Sequence, residues 1–222
     1  MTKPYVHSYS GLKEFEQCPR KFQANRILKL YPYKETEATR YGNEVHKAIE
    51  DHVNSQMGIP PQHAQFKPIV EAMLAKPGRA TAEMAFGLTR RLEPCGFFDK
   101  NVWVRGKADI VIIDDENLKA WVGDWKTGKN KYPDLDQMVL MSLFVFAHFN
   151  HVRQVNSGLI FLLYNDLQKK RMTRDDVPKA WQDMTERLAK VEAAIAANVF
   201  NPKQGPLCGW CEHKACEHHP KH

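Results

Sequence analysis

Residues 106–129 read GKADIVIIDDENLKAWVGDWKTGK, and the fold turns on how this stretch is paired. The run from Val102 to Ile113 is rich in β-branched residues, DDEN is turn-like, and KAWVGDWK alternates again, which together predict a β-hairpin. Successive side chains of a strand point to opposite faces, so Asp124 and Lys126 share one face and Trp125 takes the other. A four-residue turn that sets Asp114 opposite Lys119 brings Asp109 opposite Asp124. Two carboxylates and a lysine then converge.

That trio is what phosphodiester hydrolysis needs. Paired hard oxygen ligands hold Mg²⁺ or Mn²⁺, and the metal polarises a phosphate and acidifies a bound water. A nearby ammonium stabilises the attacking hydroxide or the charge that builds on phosphorus. An Asp-x-Lys pair alone is ordinarily a solvated ion pair on an edge strand. Here it coincides with a carboxylate at the matching place of the preceding strand, a basic TGKNK loop downstream and GNEVHKAIE upstream.

Working outward, Tyr41, Val45, Ile49 and Val53 make a helical stripe, and Ser10 is read as the N-cap of an earlier helix carrying Leu12, Phe15 and Cys18. Beyond the hairpin, Met138 to Phe149 suggests a buried helix, SGLIFLLY a further strand, and Trp181, Met184, Leu188, Val191 and Ile195 a long amphipathic helix. The order is helices, strands, helix, strand, helix, an α/β pattern. One domain spanning 1–222 is expected, mainly helical over 1–80, with a core at 81–200 and a cysteine-rich tail at 201–222.

The 222 residues carry 32 Lys and Arg against 26 Asp and Glu, a formal charge of +6, and the pI is near 9.0. A basic balance favours a polyanionic partner, because phosphate contacts release condensed counterions. The start, MTKPYVHSYS, lacks a secretory signal, and the apolar run from Met138 to Phe149 is too short for a bilayer span. A cytoplasmic protein is expected, in a bacterium or a phage-infected cell. Five cysteines in a reducing compartment suggest metal ligation rather than disulfides.

Cys208, Cys211 and Cys216 are spaced C-x2-C-x4-C, tight enough to wrap one centre, which needs a fourth ligand.

The segments SYSGLKEFEQCPRKF, YGNEVHKAIE, GKADIVI, GDWKTGK, DQMVLMSLF and the C-terminal cysteines resemble, in order, the RecB-like branch of the PD-(D/E)XK nuclease superfamily, of the CRISPR-associated exonuclease type. The resemblance implies a restriction-endonuclease-like mixed central sheet flanked by helices, with an N-terminal helical segment and a C-terminal cysteine cluster. By it, His46 is a metal ligand, Asp109 and Asp124 are bridging carboxylates, Lys126 is the catalytic lysine, and Trp125 lends its backbone carbonyl. Gln137 resembles the glutamine of the family's Q-x-x-x-Y motif, although Met141 stands where the tyrosine would be. Glu83 resembles the glutamate on the strand before the hairpin, equally readable as an ordinary strand residue. Glu50, one turn beyond His46, is placed to orient the imidazole.

The same resemblance supplies Cys18, of the segment CPRKF, as fourth ligand of a 4Fe-4S cluster. Zinc remains the alternative, held by the three C-terminal cysteines with Cys18 or one of His213, His218 and His219. Cys95 is left over as an inert thiol. Arg20 and Lys21 beside Cys18, and Lys129 and Lys131 beyond Lys126, are candidate DNA contacts, whereas Lys169, Lys170 and Arg171 read as a solvated run. The implied activity is cleavage of DNA single strands or ends, as an exonuclease of recombination, repair or replication. Two other readings stay open: a noncatalytic DNA-binding scaffold, and a zinc-bearing module whose Cys/His tail grips a protein.

Overall fold

The structure, a computed structural model, describes residues 4–129 and 133–220; Lys131 lies outside them. Among the described residues six strands form one mixed sheet in the order β2-β1-β3-β4-β5-β6. They are β1 (Arg79–Leu88), β2 (Pro94–Cys95), β3 (Val104–Asp114), β4 (Lys119–Lys126), β5 (Gln154–Phe161) and β6 (Asp166–Thr173). The helices are α1 (Tyr9–Gln17), α2 (Pro19–Phe22), α3 (Glu37–Ser55), α4 (Lys67–Leu74), α5 (Asp136–His148) and α6 (Val177–Ala197). This is the mixed sheet flanked by helices that the sequence implies.

The hairpin has the expected register: Asp114 pairs with Lys119 and Ile110 with Gly123. Its turn is fixed by Asp114, whose carboxylate accepts the Asn117 backbone N–H at 3.0 Å and its side-chain amide at 2.8 Å. Those bonds hold the Asp114 carboxyl below its usual range. β4 and β5 run parallel, so the chain must cross over between them, and α5 makes that crossing.

The chain divides into two compact units. The larger comprises Glu35–Trp181 and the residues up to Val6, and the smaller His7–Lys34 with Gln182–His222. In the larger, Val45 and Ile49 of α3, Val70 and Met73 of α4, Ile110 and Ile112 of β3, Trp125 and Ile160 form one buried cluster. The helical stripe read at Tyr41, Val45, Ile49 and Val53 is thus a core-facing one. In the smaller, Phe22 packs edge-on against Phe15 and stacks on Phe200, and Arg187 pairs with both carboxylate oxygens of Glu16 at 2.6 and 2.9 Å.

Two sequence expectations are corrected. The first helix is capped by Ser8, whose hydroxyl accepts the Gly11 N–H at 3.2 Å, and not by Ser10, which lies inside it. The strand read as SGLIFLLY begins earlier, at Gln154, and stops at Phe161, where Tyr164 N–H turns back to the Phe161 carbonyl. The run Lys169–Arg171 is exposed, as read, on a strand the sequence reading did not identify, β6, which is paired along its length with β5. Charged side chains are what an exposed edge strand carries to discourage further pairing.

Gly78, entering β1, has φ +119°, and a Cβ there would lie 2.3 Å from the Ile113 carbonyl oxygen. Neither the torsion nor the backbone contact can relax cheaply. Gly78→Ala is expected to cost about 2–4 kcal/mol in urea unfolding; a loss below about 0.5 kcal/mol would contradict the close approach.

Candidate active site

The site grows out of the β3–β4 hairpin and the start of α5. Trp125 is 2% exposed within the core, which turns its neighbours Asp124 and Lys126 to the opposite side of β4. The Lys126 ammonium forms an ion pair with Asp124 Oδ2. Gln137, on the first turn of α5, donates through Nε2 to Asp124 Oδ1 at 2.5 Å and accepts from Lys126 Nζ at 3.4 Å. One glutamine therefore holds carboxylate and ammonium in a fixed relation.

Asp109, across the hairpin, accepts the backbone N–H of Trp125 at 2.7 Å. His46 reaches the same place from α3: its Nε2–H donates to the Trp125 carbonyl at 2.9 Å, and its Nδ1 lies 3.5 Å from Asp109 Oδ2. Glu83 of β1 completes a group of three. Ligand atoms of His46, Glu83 and Asp109 all lie within 4.8 Å of one another. It is the one such group among the described residues, and neither Asp124 nor any cysteine belongs to it.

Glu83 has φ +56°, a left-handed conformation inside a strand. Such a torsion costs of order 1 kcal/mol and survives only where the surroundings impose it. On one side Asn54 of α3 clamps β1, accepting the Ala82 N–H at 2.9 Å and donating to the Ala82 carbonyl at 3.2 Å. On the other, Lys107 forms an ion pair with Glu83. Neither Asn54 nor Lys107 figures among the sequence-derived site residues. Lys107 had a signal, its place two residues before Asp109; Asn54 had none beyond lying two turns along the helix from His46.

Burial pushes the Asp124 carboxyl up, and repulsion from Asp109 pushes it further, to about 6, although Lys126 and His46 pull it down. Burial lowers the His46 imidazole, but its hydrogen bond to Asp109 and the charges of Asp109 and Asp124 outweigh this and raise it. The His46 direction reports the negative charge of Asp109 and Asp124, whereas the Asp124 direction reports burial first.

Other expected contributors are placed differently. The Trp125 carbonyl accepts the imidazole N–H, and so takes the orienting part foreseen for Glu50, which instead lies 3.5 Å from Lys47. Met141, at the place of the family's tyrosine, is 3% exposed. A Cβ on Gly106 would come within 2.6 Å of its methyl, so Met141 fills core space over β3. Lys129 is exposed beyond β4.

In the smaller unit, Cys18, Cys208, Cys211 and Cys216 line one cavity of about 440 Å³ together with Arg20 and Lys21. Backbone N–H groups of Lys203 and Gly205 donate to the sulfurs of Cys18 and Cys208, each at 3.4 Å. Arg20 Nε donates to the Phe200 carbonyl at 3.1 Å and Lys21 Nζ to Gln17 Oε1 at 3.1 Å, so both are engaged locally. Cys95 stands apart on β2, its thiol pushed up by burial.

A mixed sheet whose central hairpin presents two carboxylates and a lysine is the scaffold of a nuclease. The chain belongs to the PD-(D/E)XK nuclease superfamily, whose sequence profile matches residues 7–216. Among solved structures it is similar to "Putative exonuclease" from Eubacterium rectale, with a TM-score of 0.55 and 13% identity over 98% of this chain and 91% of that one. At that identity the likeness is one of fold. It is also similar to "SSO0001", with a TM-score of 0.41 and 12% identity over 100% of this chain and 90% of that one. No curated protein sequence matches the chain. Among the described residues no helix is long and apolar enough to cross a membrane.

Proposed function

We propose that this nuclease hydrolyses DNA with Mg²⁺ or Mn²⁺, acting as an exonuclease on single strands or free ends in recombination, repair or replication. The observation that carries the reading is the group of His46, Glu83 and Asp109, whose ligand atoms lie within 4.8 Å of one another, beside the Asp124–Lys126 ion pair. Asp109, Asp124 and His46 are the proposed metal ligands, and Glu83, within 4.8 Å of His46 and Asp109, joins them. One nitrogen and several carboxylate oxygens make a donor set suited to Mn²⁺ as well as Mg²⁺. A divalent ion there supplies Lewis-acid polarisation of the phosphate and a water acidic enough to attack it.

The chain's own residues do the rest. His46 must be neutral to ligate, and the Trp125 carbonyl fixes the tautomer by accepting the hydrogen bond of Nε2–H, leaving Nδ1 unprotonated toward Asp109. Lys126 places positive charge where the phosphate gains negative charge. Gln137 orients both Lys126 and Asp124. Arg20, Lys21, Lys129 and Lys131 are proposed to hold the phosphate backbone. The test is incubation with end-labelled single- and double-stranded DNA in Mg²⁺, Mn²⁺ or chelator. Metal-dependent shortening from an end supports the reading, internal cuts refute the exonuclease assignment, and binding without cutting leaves a scaffold.

The four cysteines of the smaller unit are proposed to hold a 4Fe-4S cluster. Supporting this are their common cavity and the two N–H···S contacts, which stabilise thiolates. Joining Cys18 to Cys208 closes a loop of nearly the whole chain, worth about 5 kcal/mol for an ideal chain and less for a real one. Cys211→Ser is therefore expected to reduce iron content and soluble yield together, and to bleach a broad visible absorption. A colourless wild-type protein with stoichiometric zinc would replace iron by zinc.

A further inference from the structure

The loop joining β1 through β2 to β3, Thr89–Trp103, is no part of the site described above, and it presents an aromatic ring to solvent. Phe98 is 86% exposed. It is not a floppy tip. Thr89 N–H bonds the Glu93 carbonyl, Leu92 N–H that of Thr89, Asp99 N–H that of Gly96 and Trp103 N–H that of Leu88, while Asp99 Oδ1 accepts the Asn101 N–H at 2.7 Å. Two tight turns thus hold the ring before any partner arrives, which lowers the entropic cost of binding.

The ring is also backed by charge. The Arg105 guanidinium lies 4.5 Å from the Phe97 ring centre and 5.5 Å from that of Phe98, and it donates to the Phe97 carbonyl at 3.3 Å. Phe97 meets Phe98 edge-on at 4.9 Å. Arg90 packs over Trp103 at 5.5 Å. The same loop also forms a cleft of about 430 Å³, to which Phe98 does not contribute, lined by Arg90, Arg91, Lys100 and Asn101 with Glu93 and Tyr5. From Arg90 to Arg105 the chain carries four basic side chains, Arg90, Arg91, Lys100 and Arg105, against two acidic ones, Glu93 and Asp99.

We propose that this loop is a stacking platform for single-stranded DNA, with an unpaired base on Phe98 and the neighbouring phosphates held by Arg91 and Lys100. A single exposed ring amid cations differs from the contiguous apolar patch that a protein partner requires, and aromatic rings with arginines in a basic groove are what non-sequence-specific strand binding uses. β3 starts beside this loop and reaches Asp109 five residues later, roughly 17 Å at about 3.4 Å per residue. That spans about five nucleotides at the stacked rise, fewer where the strand is extended. The proposal rests on the nuclease reading for its substrate and gives that reading a preference: a base inside a duplex has no free face to offer Phe98, so the platform favours an unpaired strand.

The test uses the full-length protein in chelator, so that nothing is cut, with fluorescently labelled 12-nucleotide oligo(dT) and a 12-base-pair duplex. Phe98→Ala is expected to weaken single-strand binding about 5- to 20-fold, to leave duplex binding within about twofold, and to keep the unfolding midpoint, since the ring is exposed. Phe98→Tyr restores the affinity. An abasic scan along the oligonucleotide costs the wild type a similar factor at one position and costs Phe98→Ala nothing there. Equal single-strand affinities for Phe98→Ala and wild type, equal losses on single strand and duplex, or an abasic scan that the variant leaves unchanged would each overturn the platform. Wild-type cleavage in Mn²⁺ reports separately on the nuclease site, so either idea can fail alone.

Discussion

Lys126→Ala is expected to lower the single-turnover rate of DNA cleavage by about 10²- to 10³-fold at saturating Mn²⁺, with DNA affinity changed little. The magnitude is that of removing one preorganised charge or donor from a phosphoryl-like transition state, about 3–4 kcal/mol. It rests on position: Lys126 is tied to Asp124 and Gln137 and so cannot swing away. Lys126→Arg should rescue little, because the longer planar group cannot take the same place against Asp124. A variant that keeps more than a tenth of the wild-type rate would remove Lys126 from the chemistry.

Asp124→Asn separates chemistry from folding at the same locus. The Asp124 carboxylate is 6% exposed, and its pKa of about 6 lies above the value of an unfolded aspartate. A raised acid pKa means that the metal-free folded state loses stability as pH climbs through about 6, since ionisation is harder there than in the unfolded chain. The amide keeps an acceptor for the Gln137 N–H and removes that cost, but it leaves the Lys126 ammonium without the carboxylate it pairs with. Asp124→Asn is therefore expected to fail to cut DNA and, without metal, to lack the wild type's fall in unfolding temperature as pH rises through about 6.

The hairpin was legible because several local signals agree on one register: β-branched runs, a polar turn, and apolar alternation that a slip of one residue would invert. With the register fixed, the neighbourhood of Asp109, Asp124 and Lys126 follows from side-chain alternation alone. β6 was illegible for the opposite reason. Its sequence DLQKKRMT has no apolar face, since it is an edge strand held by backbone bonds to β5. The left-handed torsion of Glu83 lies between contacts from other elements, Asn54 on the Ala82 backbone and Lys107 on the Glu83 carboxylate, so no window of β1 contains its surroundings. The carbonyl that orients His46 comes from Trp125, 79 residues away in the chain, whereas sequence could offer only its helix neighbour Glu50. What sequence conveyed was the repertoire of side chains; which of them share a hydrogen bond was decided by tertiary packing.

Asp109 carries two burdens, and a pair of substitutions divides them. Its carboxylate accepts the Trp125 N–H at 2.7 Å and faces His46 and Glu83 as a prospective metal ligand. Asp109→Asn keeps an oxygen to accept the N–H but drops the charge a divalent ion needs. It is expected to retain the wild-type unfolding midpoint within about 1 kcal/mol, to bind Mn²⁺ at least tenfold more weakly by calorimetry, and to cut DNA about 10³-fold more slowly. Asp109→Ala also strands the Trp125 N–H beside the buried indole, which costs a further 1–3 kcal/mol or so in stability. If the alanine variant were as stable as the asparagine one, the Trp125 bond would contribute nothing to folding. If the asparagine variant bound Mn²⁺ like the wild type, Asp109 would be a structural acceptor alone, and the metal would have to be held by His46, Glu83 and Asp124 without it.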